Sequence, residues 1–133
     1  MSYRHSFVLA LVAAVIIGCL SVNEPSSGPL VDIVGHATLP SGAPAAGLTI
    51  SSRISDPGNC GLPVTPVVGR TATTISDANG AYRLRAPAES SGPQCVMVGA
   101  QLSVGGPGAR VDQVAEARTR PPFVVVKADL VLR

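Results

Sequence analysis

The sequence predicts an all-β protein: an antiparallel β-sandwich of seven short strands, preceded by an N-terminal signal segment. Short apolar stretches with a two-residue alternation recur along the 133-residue chain, whereas capped stretches with helical periodicity are lacking. The 14 Gly and 12 Pro residues cluster between the apolar stretches, where turns are expected. Together these two observations favour strands over helices throughout the body of the chain.

The strands are expected in a single domain that covers residues 30–133, and each is placed by its alternation. In chain order they are Leu30–Thr38, Ala46–Ile54, Arg70–Ser76, Ala81–Ala86, Gln94–Val104, Ala109–Ala117 and Phe123–Leu132. The alternation of the sixth is weak, so a helix over 111–118 is the alternative there. Ser55–Gly69 and Pro87–Pro93 are predicted loops, because they are rich in Pro, Gly or Ser and lack apolar periodicity.

The stretch Thr73–Leu84 predicts two strands joined by a tight turn. The turn, at residues 77–80, contains Asp, Asn and Gly, which tolerate turn geometry. Beyond it, Tyr82 and Leu84 are expected in the core, and Arg83 between them faces water.

The composition excludes some classes of function. Charged residues make up 14% of the chain, the formal net charge is +2, and Lys127 is the only lysine. Nucleic-acid binding is therefore not expected, because it needs clustered cations. Aromatic residues make up 3% and Trp is absent, so a platform for stacking bases or sugars is poorly supplied.

Residues 1–18 predict a signal peptide. Arg4 precedes an apolar run over 7–17, which is shorter than the roughly 20 residues that cross a bilayer as a helix. The run ends in Ile-Ile-Gly followed by Cys19, a pattern that resembles the bacterial lipobox. The resemblance implies a lipoprotein signal peptide, cleavage before Cys19 and lipid attachment to its thiol. The alternative is an ordinary signal peptide that a cysteine follows by chance.

The predicted location is therefore the cell envelope, with the membrane reached through the lipid anchor. Residues 19–29 would form the lipidated cysteine and a linker, since the stretch is polar and contains Pro and Gly. Leu20 and Ser21 lack the Asp that favours retention at the inner membrane. In a diderm bacterium the outer membrane is thus expected, with the domain facing the periplasm or the exterior.

Two signatures in the body of the chain resemble a known domain family. The stretch Gly35–Ile50 places a Gly turn and a Pro-x-x-Gly sequence before an apolar strand, and Thr73–Leu84 contains Ser-Asp-x-Asn-Gly-x-Tyr-x-Leu. Together they resemble the carboxypeptidase regulatory-like domain, a transthyretin-like (prealbumin-like) β-sandwich, over residues 31–132. The resemblance implies an accessory module without catalytic activity, so the chain is expected not to be an enzyme.

The expected function is that of an extracytoplasmic, membrane-anchored lipoprotein with a non-catalytic binding or structural sandwich. Its partner is expected to be a protein of the cell envelope, met through the long loop or an exposed strand edge. A carbohydrate-binding module is one alternative. The other is a hydrolase related to the hydroxyisourate hydrolases, which Gly35-His36 resembles, although the second His and the Tyr-Arg-Gly-Ser ending of that family are missing.

The cysteines predict one disulfide. If Cys19 carries lipid, Cys60 and Cys95 remain, and an oxidising compartment favours their pairing. Two free thiols are the alternative. A metal site is not expected, because two cysteines without neighbouring His or Cys cannot complete a tetrahedral ligand sphere.

No catalytic residues and no cofactor are expected. Asp77 and Asn79 match the start of a calcium loop, but Ala88 stands where the closing Glu would be needed, which favours a simple turn. Glu89 and Glu116 are the most plausible carboxylate pair, and both lie in stretches without other site chemistry.

Overall fold

The computed structural model describes residues 28–62 and 70–133, and within them the chain forms eight strands. They are β1 (Leu30–Thr38), β2 (Thr49–Ser55), β3 (Arg70–Ile75), β4 (Ala81–Pro87), β5 (Gly92–Gln101), β6 (Gly108–Ala117), β7 (Val125–Lys127) and β8 (Leu130–Val131). A 3-10 turn at Pro57–Asn59 follows β2. No helix in these two ranges has the length and apolar character needed to cross a membrane. The predicted signal peptide and Cys19 lie outside the described residues.

The strands form two sheets that pack as a sandwich, and the predicted all-β class is confirmed. One sheet has the order β4-β1-β7, with β8 also paired to β1, and the other has the order β3-β2-β5-β6. The pairing is not antiparallel throughout as predicted, because β7 and β8 run parallel to β1. The predicted single last strand is two short strands, because the strand is interrupted at Ala128 and Asp129.

The core lies between the sheets and is aliphatic. Strand alternation turns one side of each strand inward, so the residues at 31, 33, 35 and 37 in β1, at 50, 52 and 54 in β2, and at 96 and 98 in β5 are buried. The largest fully buried apolar side chains are Ile33, Ile50, Ile54, Leu130, Leu132, Val31, Val96 and Val98. Burial of each stabilises the fold by roughly 1.5–3 kcal/mol before the entropic cost of ordering.

Gly35 in β1 marks the closest backbone approach in the first sheet. A Cβ at this position would collide with the carbonyl of Ala128 and with the phenol oxygen of Tyr82. The vacant space lets the buried Tyr82 hydroxyl donate a hydrogen bond to the Ala128 carbonyl. Burial, and then the nearby charge of Asp129, raise the pKa of Tyr82 to about 12. Tyr82 therefore fills the core as predicted, and its hydroxyl is bonded within it.

The stretch Thr73–Leu84 is a corner between the two sheets, and the prediction of a hairpin is wrong. Strand β3 pairs with β2, whereas β4 pairs with β1, so the turn carries the chain across the sandwich. Gly80 has φ +74°, and a Cβ there would collide with the Ala37 carbonyl. Asp77 Oδ1 accepts hydrogen bonds from the backbone N–H groups of Asn79 (2.8 Å) and Ala81 (2.9 Å). The carboxylate thus serves the turn.

Three further differences from the prediction concern β2, β5 and β6. Strand β2 begins at Thr49 rather than Ala46, because Gly47 adopts φ +68° in a turn. Strand β5 ends at Gln101, so Leu102 and Val104 lie in the following turn and are exposed, with Val104 fully so. The alternative of a helix at 111–118 is wrong, since β6 pairs along its whole length with β5.

Two buried serines differ in their hydrogen bonding. Ser76 Oγ donates to the Ala45 carbonyl (2.5 Å) and accepts from the Leu48 N–H (2.9 Å). Ser52 is 2% exposed on the core side of β2, and its hydroxyl has no partner among the described residues. An unpaired buried hydroxyl costs about 1–3 kcal/mol, whereas a paired one contributes to stability.

We therefore expect Ser52→Ala to raise the free energy of unfolding by about 1 kcal/mol, because it removes an unpaired polar atom. The matched change Ser76→Ala should lower it by about 1–3 kcal/mol, because it leaves a backbone donor and acceptor unpaired. Urea denaturation of the purified variants measures both values. Equal destabilisation by the two changes would contradict this assignment.

Candidate functional site

A disulfide holds the loop after β2 against the outer face of the second sheet. Cys60 and Cys95 are joined by an S–S bond of 2.02 Å, so the predicted disulfide is present. Cys95 lies on the outward side of β5, yet it is fully buried because this loop covers it. The Leu62 carbonyl accepts a hydrogen bond of 3.0 Å from Arg110 Nη2 on β6. The loop is thus attached at two points.

Beside this loop the outer face forms a cleft of about 410 Å³. Its outward side chains come from four adjacent strands and share one face of the sheet by register. These side chains belong to Ser51, Arg53, Thr71, Thr73, Met97 and Arg110, and Gly99 lines the cleft with its backbone. Ser52 and Val98 also border the cleft, although strand alternation directs their side chains toward the core. The cleft therefore combines hydroxyls, two guanidinium groups and one thioether.

The two arginines of the cleft have different environments. Arg110 forms a bidentate pair with Asp112, with Nη2···Oδ2 at 2.5 Å and Nε···Oδ1 at 2.7 Å. The hydrogen bond to Asp112 is the main cause that raises the pKa of Arg110. The half-buried Arg53 makes no side-chain hydrogen bond or ion pair within residues 28–62 and 70–133. Among the described residues, Arg53 is therefore the cation of the cleft without an acidic neighbour.

Met97 forms the apolar part of the cleft. It is only 8% exposed although it lies on the outer face, opposite Arg53 of β2 and Asp112 of β6. Arg110 Nη2 lies 3.4 Å from its sulfur. Next to it along the face, Gly99 has no side chain, so the backbone of β5 is accessible from the cleft. An apolar group could rest on this surface.

The outer face of the first sheet carries a second charged cluster, and its charges are paired internally. The Asp32 carboxylate, 6% exposed, accepts from Arg83 Nη2 (2.5 Å) and lies 3.9 Å from Arg85. The hydrogen bond to Asp32 is the main cause that raises the pKa of Arg83. Arg85 stacks over the ring of Phe123, with its Cζ 4.5 Å from the centroid. This cluster fixes the last crossover of the chain to the sheet.

His36, the residue of the hydrolase alternative, lies on the same outer face and is exposed. Its backbone N–H donates to Asp129 Oδ1 at 3.0 Å, and its Nδ1 lies 3.9 Å from that oxygen. Burial acts to raise the pKa of Asp129, but the His36 N–H and then Lys127 outweigh it, so the net shift is downward. These residues form a surface ion cluster at the end of β1.

Of the other residues considered in the sequence, Glu116 pairs with Arg118 at 3.6 Å and Glu89 is exposed in a loop. Within the two described ranges, no three His, Cys, Asp or Glu side chains gather as ligands for a metal ion. Sequence reasoning missed the cleft. The one feature of the sequence that could have indicated the cleft is Arg53, a cation that alternation places on the outward side of a short strand.

Comparison with known proteins finds similarity only at the level of structure. No family model and no curated protein matches the chain. Chlorocatechol 1,2-dioxygenase from Pseudomonas putida is 17% identical with a TM-score of 0.47, covering 82% of this chain and 62% of its own. 3-Chlorocatechol 1,2-dioxygenase from Rhodococcus opacus 1CP is 14% identical with a TM-score of 0.45, covering 79% and 59%.

A third similar structure is the dioxygenase domain of a dioxygenase carbohydrate-binding protein fusion from Streptomyces sp. SirexAA-E. It is 15% identical with a TM-score of 0.44, and the match covers 85% of this chain and 84% of that one. The chain spans about three fifths of the length of the two chlorocatechol dioxygenases. At these identities the likeness concerns the fold and assigns no activity to this chain.

The comparisons nevertheless correct one expectation. The sequence favours a lipoprotein module without catalytic activity, and hence a chain that is not an enzyme, but the solved structures that resemble it are dioxygenases. The physical reason for the error lies in the signatures. Gly35 is required by a close backbone approach and Gly80 by a positive φ, so these residues report the geometry of a sandwich and do not distinguish a catalytic from a non-catalytic one.

The disulfide yields a prediction for stability. The double change Cys60→Ser and Cys95→Ser should lower the free energy of unfolding by about 3–4 kcal/mol, because the bond closes a long loop in the unfolded chain. Urea denaturation of the oxidised wild type and of the variant measures this. Reduced wild-type protein is the control and should match the variant. A loss below about 1 kcal/mol would contradict the prediction.

Proposed function

We propose that the chain binds a small molecule in the cleft on the outer face of the β3-β2-β5-β6 sheet. The observation that carries the proposal is the cavity of about 410 Å³ beside the disulfide-linked loop. This volume falls in the range of roughly 300–1,000 Å³ that is usual for small-molecule sites. The mixture of hydroxyls, a cation and a thioether matches the apolar surface with a few polar groups that such sites present.

Rigidity supports the same proposal. The cleft is formed by four hydrogen-bonded strands, and one of its lining side chains, Arg110, is held by Asp112 and by the Leu62 carbonyl. A surface ordered before binding loses little conformational entropy when a ligand arrives. The outer face of the first sheet is less suited to binding a charged ligand, because its buried carboxylate already has two arginine neighbours.

The test is a variant that fills the cleft. Thr73→Trp places an indole in the cleft from an exposed position on β3, while Thr49→Trp adds the same group on the outer face of β2 outside it. Ligand-observed NMR with a mixture of small carboxylates, amides and sugars should detect binding to wild type and to Thr49→Trp. Binding should be lost with Thr73→Trp, because the indole occupies the space of the ligand. Equal binding by both variants, or none by wild type, would refute the proposal.

We further propose that the protein is exported and held in the cell envelope by lipid at Cys19. The support is the lipobox-like sequence together with the Cys60–Cys95 bond, since structural disulfides persist in oxidising compartments. An outer-membrane position in a diderm bacterium remains part of this proposal. A protein partner in the envelope is also part of this proposal. The similarity to the carboxypeptidase regulatory-like domain remains a prediction.

Cys19→Ser tests the lipid anchor. The change removes the only thiol ahead of the sandwich and should abolish lipid attachment, so that the protein shifts from the membrane fraction to the soluble one or stays unprocessed. Fractionation with metabolic labelling by a fatty acid measures the effect. Ser21→Ala, two residues away, is the control and should behave like wild type. Unchanged labelling of Cys19→Ser would exclude this anchor.

A further inference from the structure

We infer that the ligand of the cleft carries a single carboxylate, and that Arg53 binds it. The inference rests on the proposed function and specifies its chemistry. It follows from three features of the described residues: the environment of Arg53, the net charge of the cleft, and the surface formed by Met97 and Gly99.

Arg53 differs from the other cations of the chain. Arg83, Arg85, Arg110, Arg118 and Lys127 each lie within ion-pair distance of an acidic side chain. In residues 28–62 and 70–133 the arginines without such a neighbour are Arg53, Arg70, Arg120 and Arg133. The last three are exposed to solvent, whereas Arg53 is half-buried. A partly desolvated cation without an anion is unfavourable, and an anionic ligand in the cleft would relieve that penalty.

The net charge of the cleft indicates a monoanion. Arg110 is neutralised by its bidentate contact with Asp112, and the other lining side chains are uncharged. Arg53 therefore leaves the cleft with one unbalanced positive charge. A carboxylate balances it and matches the fork of a guanidinium with two parallel hydrogen bonds. A phosphate monoester, with a charge near −2, would exceed it.

The remaining surface indicates an apolar body next to the carboxylate. Met97 is in register with Arg53 on the neighbouring strand, and both residues line the cleft. Gly99 follows on the same face and leaves room for a flat group against β5. A methionine sulfur makes favourable contacts with the edge of an aromatic ring. Ser51 Oγ donates to the Gly99 carbonyl at 3.3 Å, so its oxygen can still accept from a ligand.

The experiment titrates the full chain, with its disulfide formed, with benzoate, its neutral isostere benzamide, and phenyl phosphate. Chemical-shift changes of the backbone amides measure the affinity and locate the site. We expect benzoate to bind about 10-fold or more tightly than benzamide, because a charge-assisted bidentate contact is lost with the amide. Phenyl phosphate should bind more weakly than benzoate. The largest shifts should fall on Ser51, Thr73 and Gly99.

Variants of Arg53 separate this inference from the proposed function. Arg53→Gln should weaken benzoate about 10-fold or more and leave benzamide unchanged, while Arg53→Lys, which keeps the charge and loses the fork, should fall between. Arg120→Gln removes an exposed arginine without an acidic neighbour and is the matched control, with wild-type affinities expected. Amide spectra of each variant report that the fold is intact.

Two results would overturn the inference while the proposed function stands. One is equal binding of benzoate to wild type and Arg53→Gln, with binding still lost in Thr73→Trp. The other is tighter binding of phenyl phosphate than of benzoate at the same amides. If none of the three probes shifts the amides of the cleft in wild type, the inference fails. If the broader ligand mixture also shows no loss with Thr73→Trp, the proposed function fails with it.

Discussion

The first sheet depends on one crowded position in its central strand. Strand β1 pairs with β4 on one side and with β7 and β8 on the other, so every pairing of that sheet passes through it. At Gly35 the chain returning from β7 comes so close that a side chain would displace it. The Tyr82 hydroxyl bonds to the same carbonyl, Ala128, and ties β4 to the far side of β1. The absence of a side chain at Gly35 thus allows three strands to pack together.

The two outer faces of the sandwich differ in how their charged side chains are paired. On the first sheet, Asp32 lies beneath two arginines and Arg85 stacks on Phe123, so the charges are matched within the chain. On the second sheet Arg110 is paired with Asp112, whereas Arg53 has no acidic neighbour within the part of the chain that the structure describes. Both faces are formed by the outward-facing residues of alternating strands. The difference in charge pairing therefore lies in their side chains and not in the fold. This outer face also carries the cleft and the disulfide that holds the loop after β2.

Alternation in the sequence was enough to locate most strands and to sort core from surface. It could not assign β3 and β4 to different sheets, because alternation says which side of a strand is buried and not which strand lies beside it. For the same reason, alternation could not predict that β7 pairs in parallel with β1. For the site, alternation placed Ser51 and Arg53 outward. The cleft itself depends on four strands lying side by side, and a local sequence pattern does not show that arrangement.

The parallel pairing of β1 with β7 also constrains when the protein can fold. His36 and Asp129, which contact each other at the end of this pairing, are 93 residues apart in the chain. The edge of β1 that faces β7 therefore stays unpaired until residues 125–131 are available, and such distant contacts make folding slow. Until β7 and β8 are in place, the first sheet has one open edge along β1.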